Sequence, residues 1–177
     1  MELRGPRMHL RSLSDADTDL ILRWRGDPGV AAQLFSEGPP SRAEHQAFLE
    51  RLRETDERLE FAIVLEGGTP VGTVGLSHID RKGGNAEYGI LIGEESARGK
   101  GIARAASDVM LDHAFNVLGL HRVSLRVFAD NHAAIALYRR LGFRIAAGGA
   151  AIKEKDGIPR QVLGMVIDLS ERAAAAS

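Results

Sequence analysis

The segment 94–103 carries two glycines, Gly99 and Gly101, immediately before a strongly helical pattern that begins at Ile102. Glycines let the backbone approach a ligand closely, and a helix start presents unpaired N–H groups with a partial positive charge. The segment therefore predicts a site for an anion such as a phosphate. Two common phosphate-binding patterns do not fit, because a P-loop needs Gly-x-x-x-x-Gly-Lys-Ser/Thr and a dinucleotide fingerprint needs a third glycine where Arg104 stands.

A tyrosine, Tyr138, lies in a second segment of chemical interest, residues 131–143. Its helical pattern stops at Gly142, a residue suited to the left-handed conformation that ends many helices. A phenol has a pKa of about 10 and can act as a general acid. Structural roles remain open: Tyr138 and Phe143 can be core residues, and Asn131 can cap the helix.

Alternating strand and helix patterns must position these two segments. The predicted strands are residues 8–13, 61–65, 71–76, 85–92, 122–128 and 161–168. The predicted helices follow Ser14, Ser41 (a capping box with Glu44), Gly101 and Asn131. The third helix has an apolar stripe of Ile102, Ala106, Val109, Met110 and Val117, and one strand has an apolar face of Val123, Leu125 and Val127. This order predicts an α/β or α+β fold, a mixed sheet with helices on both faces.

Both segments resemble signatures of the GNAT N-acetyltransferase superfamily. Arg98-x-x-Gly101-x-Ala103 matches Gln/Arg-x-x-Gly-x-Gly/Ala, and residues 131–143 resemble Asn-x-x-Ala-x-x-Leu-Tyr-x-x-x-Gly-Phe. The two segments stand in the family's order, separated by a helix and a strand, and fix most of residues 85–145. Residues 10–13 and 22–25 more loosely resemble the branch of ribosomal-protein alanine, spermidine and amino-sugar acetyltransferases.

The resemblance implies a mostly antiparallel central sheet and acetyl-CoA as acyl donor. It implies that the pyrophosphate is held by the loop residues Arg98, Gly99, Lys100, Gly101, Ile102 and Ala103. It places an oxyanion-stabilising N–H on the preceding strand, around Ile90, Leu91 and Ile92. Asn131 would contact the pantetheine arm, and Tyr138 would protonate the departing thiolate.

The general base is the open question of this sequence. A primary amine resembles lysine, with a pKa of about 10.4, so its proton must be removed before it can attack. Some relatives have a glutamate twelve residues before the tyrosine, but here Arg126 stands there. Glu87 is the next candidate, directly or through water; a solvated carboxylate is the alternative, and His121 and His132 also titrate near neutrality.

Several chemistries are not indicated. No spacing of His, Asp and Glu predicts a metal site, and no Gly-x-Ser-x-Gly elbow predicts a serine nucleophile. The chain has no cysteine, which excludes disulfides and a cysteine-bound acyl intermediate. Direct transfer in a ternary complex is therefore expected.

Composition bounds the partners. The chain has 177 residues, 27% of them charged, and a net charge of −1 with both signs interspersed, so neither nucleic acid nor a membrane is an expected partner. We expect one domain over residues 1–170, a frayed tail over 171–177, and cytoplasmic residence because no signal segment is apparent. The oligomeric state, a homodimer included, stays open.

The acceptor is expected to be chosen by residues 30–40 and 148–159. Residues 25–48 look most like amino-sugar acetyltransferases, which makes an amino sugar the first expectation. A polyamine would need a strongly acidic pocket. The sequence offers only three candidate carboxylates for one, Glu37, Glu44 and Glu87. A protein N-terminus is a further alternative, and a non-catalytic acyl-CoA-binding module is the rival from another class.

Overall fold

An eight-stranded sheet organises residues 1–175, the part of the chain that the computed structural model describes. Its strands are β1 (Glu2–Gly5), β2 (Met8–Ser12), β3 (Leu59–Leu65), β4 (Pro70–Asp80), β5 (Asn85–Ile92), β6 (Arg122–Phe128), β7 (Arg144–Lys155) and β8 (Ile158–Asp168). They lie in the order β1-β2-β3-β4-β5-β6-β8-β7, and every neighbouring pair is antiparallel except β5 and β6. The predicted mixed, mostly antiparallel sheet is confirmed.

Helices cover both faces of this sheet. They are α1 (Thr18–Gly26), α2 (Pro28–Ala31), α3 (Arg42–Glu54), α4 (Ile102–Asp112), α5 (His132–Arg140) and α6 (Leu169–Ala175). Helices α4 and α5 bury their apolar residues in the main core, together with the predicted strand face of Val123, Leu125 and Val127. We call this side the α4 face. The opposite side, covered by α1 to α3, is the α1–α3 face.

The two parallel strands separate after a short contact. Strand β5 pairs with β6 only from Asn85 to Glu87, opposite residues 122–124. Beyond that point, residues 88–92 of β5 and 125–128 of β6 have no ladder between them, and the partner of β6 on its other side is β8. Backbone N–H and C=O groups that lose their ladder partner need another one. We call this opening the β5–β6 gap.

Two strands were missing from the prediction. Residues 144–155 form β7, which pairs with β8 in a hairpin closed at Asp156 and Gly157, both with positive φ. The segment 148–159, expected to be a variable acceptor segment, is thus mostly strand. Most of β7 is exposed at the sheet edge, so its sequence lacks the apolar alternation that marks a half-buried strand. The other missing strand, β1, is a four-residue edge strand.

The predicted apolar stripe of α4 fails at its end. Ala106 and Met110 are fully buried, but Val117 is 68% exposed. Residues 113–117 form a π-helical turn, in which each hydrogen bond spans one more residue than in an α-helix. The wider turn rotates Val117 away from the core.

The expected tail is partly a helix. Helix α6 runs to Ala175, and Arg172 contacts Asp108 at 2.9 Å and Asp112 at 3.0 Å, both on α4. Arg172 thereby attaches α6 to α4, and Glu171 pairs with Arg144 of β7 at 2.6 Å. The frayed tail over 171–177 stays a prediction. Residues 176–177 lie outside the described residues, and the domain boundary at 170 stays a prediction. None of the helices in residues 1–175 is long and apolar enough to span a membrane.

A buried histidine should make the stability of the fold depend on pH. Both ring nitrogens of His113 are buried without a partner in the described structure, and burial, helped by Arg81, lowers its pKa. The unfolded histidine gains its proton below a pH of about 6.5, while the folded one resists, so stability falls as pH drops below that value. We expect the melting temperature of His113→Leu to fall less between pH 7 and pH 5 than that of the parent.

The matched control is His132→Leu, because His132 is exposed. It should keep the parent's dependence of melting temperature on pH. His45 is also buried, with one unpaired nitrogen and a lowered pKa, so a residual slope is expected in His113→Leu. Identical slopes in all three proteins would contradict the assignment.

Candidate active site

The loop before α4 has the geometry of an anion site. Gly99 and Gly101 take positive φ values of 71° and 78°, which residues with a Cβ rarely adopt. A Cβ on either would meet no atom within 4 Å, so the space above this backbone is open. Gly101 is the N-cap of α4 and offers no side chain to the helix start. The first N–H groups of α4 therefore face this open space, and the loop fits a pyrophosphate.

Arg98 holds the loop rather than leaving it free. Its Nε donates to the carbonyl oxygen of Ile92 at 3.3 Å, and its Nη2 donates to that of Gly93 at 3.2 Å. Both acceptors lie where β5 ends and the loop begins. The first residue of the signature thus closes the loop onto its strand, and its predicted contact with the cofactor stays a prediction.

Helix α1 is fastened to the same loop by a tryptophan. A Cβ on Gly93 would lie 2.1 Å from the Trp24 ring, so the indole packs directly on this glycine. Trp24 Nε1 donates to Glu94 Oε1 at 2.8 Å, and Arg23 pairs with the same carboxylate. One residue at the start of the cofactor loop is thereby tied to α1. The sequence gives no sign of this contact, which joins residues far apart in the chain.

The strand register decides which N–H groups face the β5–β6 gap. Gly93 N donates to Val71 O, and the β4–β5 register is continuous from Gly93 back to Leu91, paired with Thr73. Because antiparallel pairs alternate, Leu91 directs its N–H toward β4, while Ile90 and Ile92 direct theirs to the other side. Of the three predicted oxyanion positions, only Ile90 and Ile92 can therefore donate into the gap.

Two tyrosines meet beside the gap on the α4 face, with ring centroids 6.3 Å apart. Tyr88 is sealed in the core, and its hydroxyl lies 2.6 Å from Ser107 Oγ. The Ser107 hydroxyl donates to Ala103 O, so Tyr88 is the donor of the pair. Tyr138 is also mostly buried, yet its hydroxyl has no hydrogen-bond partner in the described structure and is not sealed from solvent.

Burial raises the pKa of Tyr138 to about 12. The phenol therefore keeps its proton at every physiological pH and can offer it as a hydrogen-bond donor. A thiol in the same poorly solvated space also has a raised pKa, because burial disfavours its thiolate. The difference in pKa between the phenol and the thiol is therefore smaller. The raised pKa makes Tyr138 a weaker acid than a free tyrosine, and its role as proton donor stays a prediction.

Glu87 lies on the other face of β5 from the two tyrosines, because side chains alternate along a strand. Its carboxylate accepts from Arg126 Nε at 2.9 Å and lies 3.6 Å from His78 Nδ1. Arg126 stands where relatives have a glutamate and also packs over the Phe35 ring. Acid and base candidates therefore flank the gap from opposite faces. As a general base, Glu87 stays a prediction.

The remaining candidates have structural contacts. Asn131 Oδ1 accepts from Ala134 N at 3.2 Å, which confirms its role as N-cap of α5, while a pantetheine contact stays a prediction. Phe143 is buried in the core. His121 packs against Gly84 at the end of the sheet where β5 and β6 are still paired, and His132 is exposed at the start of α5. His121 therefore lies away from the gap, and a role for His132 as a base stays a prediction.

Comparison with known proteins gives consistent matches. The family model described as Acetyltransferase (GNAT) domain matches residues 7–144. Spermidine N(1)-acetyltransferase of Escherichia coli K12 is 35% identical over 141 residues, covering 77% of this chain and 72% of the relative. L-amino acid N-acetyltransferase AaaT of E. coli K12 is 26% identical over 150 residues, covering 84% and 90%.

A solved structure agrees over nearly the whole chain. The spermidine N-acetyltransferase from Vibrio cholerae, solved in complex with CoA and spermine, has a TM-score of 0.87 and 25% identity. The match covers 94% of this chain and 98% of that one.

Proposed function

The chain belongs to the GNAT family of N-acetyltransferases, which use acetyl-CoA as donor, and on that premise we propose that it acetylates a primary amine of a compact small molecule, an amino sugar first. One observation carries this choice. The charged cluster on the α1–α3 face combines two carboxylates with three arginines, namely Glu60, Glu87, Arg25, Arg58 and Arg126. This cluster has no excess of negative charge to attract a polycation.

A polyamine is the second candidate. The 35% identical E. coli relative is a spermidine enzyme, and the V. cholerae structure holds spermine. These relatives support a polyamine at least as well as an amino sugar. The binding of a polycation is known for those relatives, whereas the balanced charge beside the gap is a feature of this chain.

The residues around the gap have different roles in acetyl transfer. The thioester donor supplies an activated carbonyl carbon, which the amine attacks while the thiolate departs. The amides of residues 99–103 hold the pyrophosphate, and the N–H groups of Ile90 and Ile92 stabilise negative charge on the carbonyl oxygen. Tyr138 gives a proton to the thiolate from the α4 face, and Glu87 takes one from the amine on the α1–α3 face.

A thiol-release assay with acetyl-CoA tests the function. The panel contains amino sugars and their nucleotide conjugates, spermidine and spermine, amino acids and N-terminal peptides, with products identified by mass spectrometry. Acetylation of an amino sugar at nitrogen, with higher kcat/KM than for spermidine, is the expected result. Preference for spermidine would establish the second candidate, and no turnover with any amine would leave a non-catalytic acyl-CoA-binding module.

Glu87→Gln should lower turnover roughly 10²-fold at neutral pH, the lower end of the range for general acid–base catalysis. The loss should shrink as pH rises toward the pKa of the amine, because more amine is then already unprotonated. The measurement is kcat across pH 7 to 9.5. The control is Glu57→Gln, an exposed carboxylate near His78, which should behave as the parent. A loss that is independent of pH would assign Glu87 a structural role with Arg126.

A further inference from the structure

Three residues form a row across the α1–α3 face. Glu60 on β3 is the register partner of Gly75 on β4, and Gly75 is the register partner of Gly89 on β5. Partners in a ladder direct their side chains to the same face. The row therefore runs from Glu60, over two glycines in succession, to the edge of the β5–β6 gap.

The carboxylate of Glu60 leans along this row toward the gap. A Cβ on Gly75 would lie 2.7 Å from Glu60 Oε2, so this oxygen occupies the space that a side chain on β4 would fill. A Cβ on Gly89 would meet no atom within 4 Å. The surface between the carboxylate and the gap is thus formed by glycine backbone, and the space above Gly89 is open.

Glu60 is poorly solvated and loosely paired. Its side chain is only 18% exposed, and its ion-pair contact, from Oε2 to Arg58 Nη2, is 3.5 Å long. Glu87, by contrast, is held by Arg126 at 2.9 Å. Burial raises the pKa of Glu60, although the charges of Arg58 and Arg25 and hydrogen bonds from Arg58 and Thr73 oppose the shift. An ionised carboxylate offers about four acceptor sites, and leaving them unused in a poorly solvated place costs free energy.

An incoming amine supplies further donors for the acceptor sites that Arg58 and Thr73 leave unused on the Glu60 carboxylate. We infer that Glu60 is an acceptor-binding residue: its carboxylate accepts a hydrogen bond from the acceptor's nitrogen above Gly89, at the mouth of the gap. This inference rests on the proposed N-acetyltransferase function with a small amine. It also gives Gly89 a role, because a side chain there would fill the space that the amine needs, whereas Gly75 is required by the close Leu59 carbonyl oxygen, 2.3 Å from where its Cβ would lie.

Glu60→Gln tests the inference in the intact protein, with the best amine from the panel. The KM of the amine should rise about tenfold or more, since hydrogen bonds to charged groups are worth at least that much. The KM of acetyl-CoA should stay unchanged. The fold should survive, because the change removes a poorly solvated charge while keeping the shape. The matched control is Glu66→Gln, an exposed carboxylate just beyond β3, which should behave as the parent.

Gly89→Ala gives an independent test without touching a charge. The open space at this position accommodates the methyl group, and alanine is more favourable than glycine in a strand, so the melting temperature should hold or rise. The methyl group should nevertheless obstruct the amine and raise its KM by about tenfold, to the same extent for a charged and an uncharged acceptor of equal size.

The outcomes separate the two proposals. If the parent acetylates no amine, the proposed function fails before Glu60 is considered. If the parent acetylates an amine and both variants keep its KM, Glu60 does not bind the acceptor, although the function stands. A fall of kcat in Glu60→Gln with unchanged amine KM would likewise overturn the inference.

Discussion

Tyr138→Phe is expected to lower turnover by about 10²- to 10⁴-fold, the usual range for loss of a general acid. The fold should be unaffected, because the Tyr138 hydroxyl makes no hydrogen bond in the described structure and its ring packs equally well as phenylalanine. Affinity for acetyl-CoA should also be retained. The measurements are kcat under conditions where chemistry limits the rate, and the melting temperature.

The neighbouring tyrosine is the control. Tyr88→Phe removes a hydroxyl that donates to Ser107 in the core, so it should cost about 1 kcal/mol of stability and leave turnover nearly unchanged. Each variant removes one phenol hydroxyl from the same cluster of aromatic rings, so the comparison shows which hydroxyl matters for turnover. If Tyr138→Phe kept normal turnover at neutral pH, the thiolate would have to depart unaided or with a proton from water.

Gly101→Glu is expected to weaken acetyl-CoA binding by about 10³-fold. The new carboxylate would occupy the open space above the start of α4, and placing it beside a pyrophosphate costs several kcal/mol through like-charge repulsion. The left-handed backbone at φ 78° adds a strain of roughly 1–2 kcal/mol to the fold. Calorimetric titration with acetyl-CoA measures the affinity.

Gly68→Glu separates the two effects. Gly68 has φ 80° and equally open space, but it lies in the β3–β4 turn, away from the cofactor loop. It should lose similar stability and bind acetyl-CoA as the parent does. Parent-like affinity in Gly101→Glu would mean that the pyrophosphate site has been assigned to the wrong loop.

The sequence was informative where function depends on neighbours in the chain. The glycine loop before α4 and the Ser41 and Asn131 caps are local patterns, and the structure places each as expected for its local geometry. The catalytic and cofactor roles built on them remain predictions. The fold class followed from the order of elements and the resemblance.

The sequence did not predict the contacts that depend on the register between strands. Glu60 faces the gap across two glycines only because three strands align it with Gly75 and Gly89, and no spacing along the chain encodes that alignment. The ion pair of Glu87 with Arg126 likewise needs the parallel register of β5 and β6. Val117 was misplaced because a π-turn cannot be read from a period of 3.6 residues.

Because Trp24 and Arg23 of α1 both contact Glu94, a movement of Glu94 on donor binding would couple the affinity for the donor to the affinity for the acceptor. Glu94 begins the cofactor loop, and its carboxylate is held by two side chains of α1, the helix that covers the other face. A displacement of this residue would shift Trp24 and Arg23 or break their contacts with it. Linkage then requires reciprocity: the factor by which acetyl-CoA changes the affinity for the amine equals the factor by which the amine changes the affinity for acetyl-CoA.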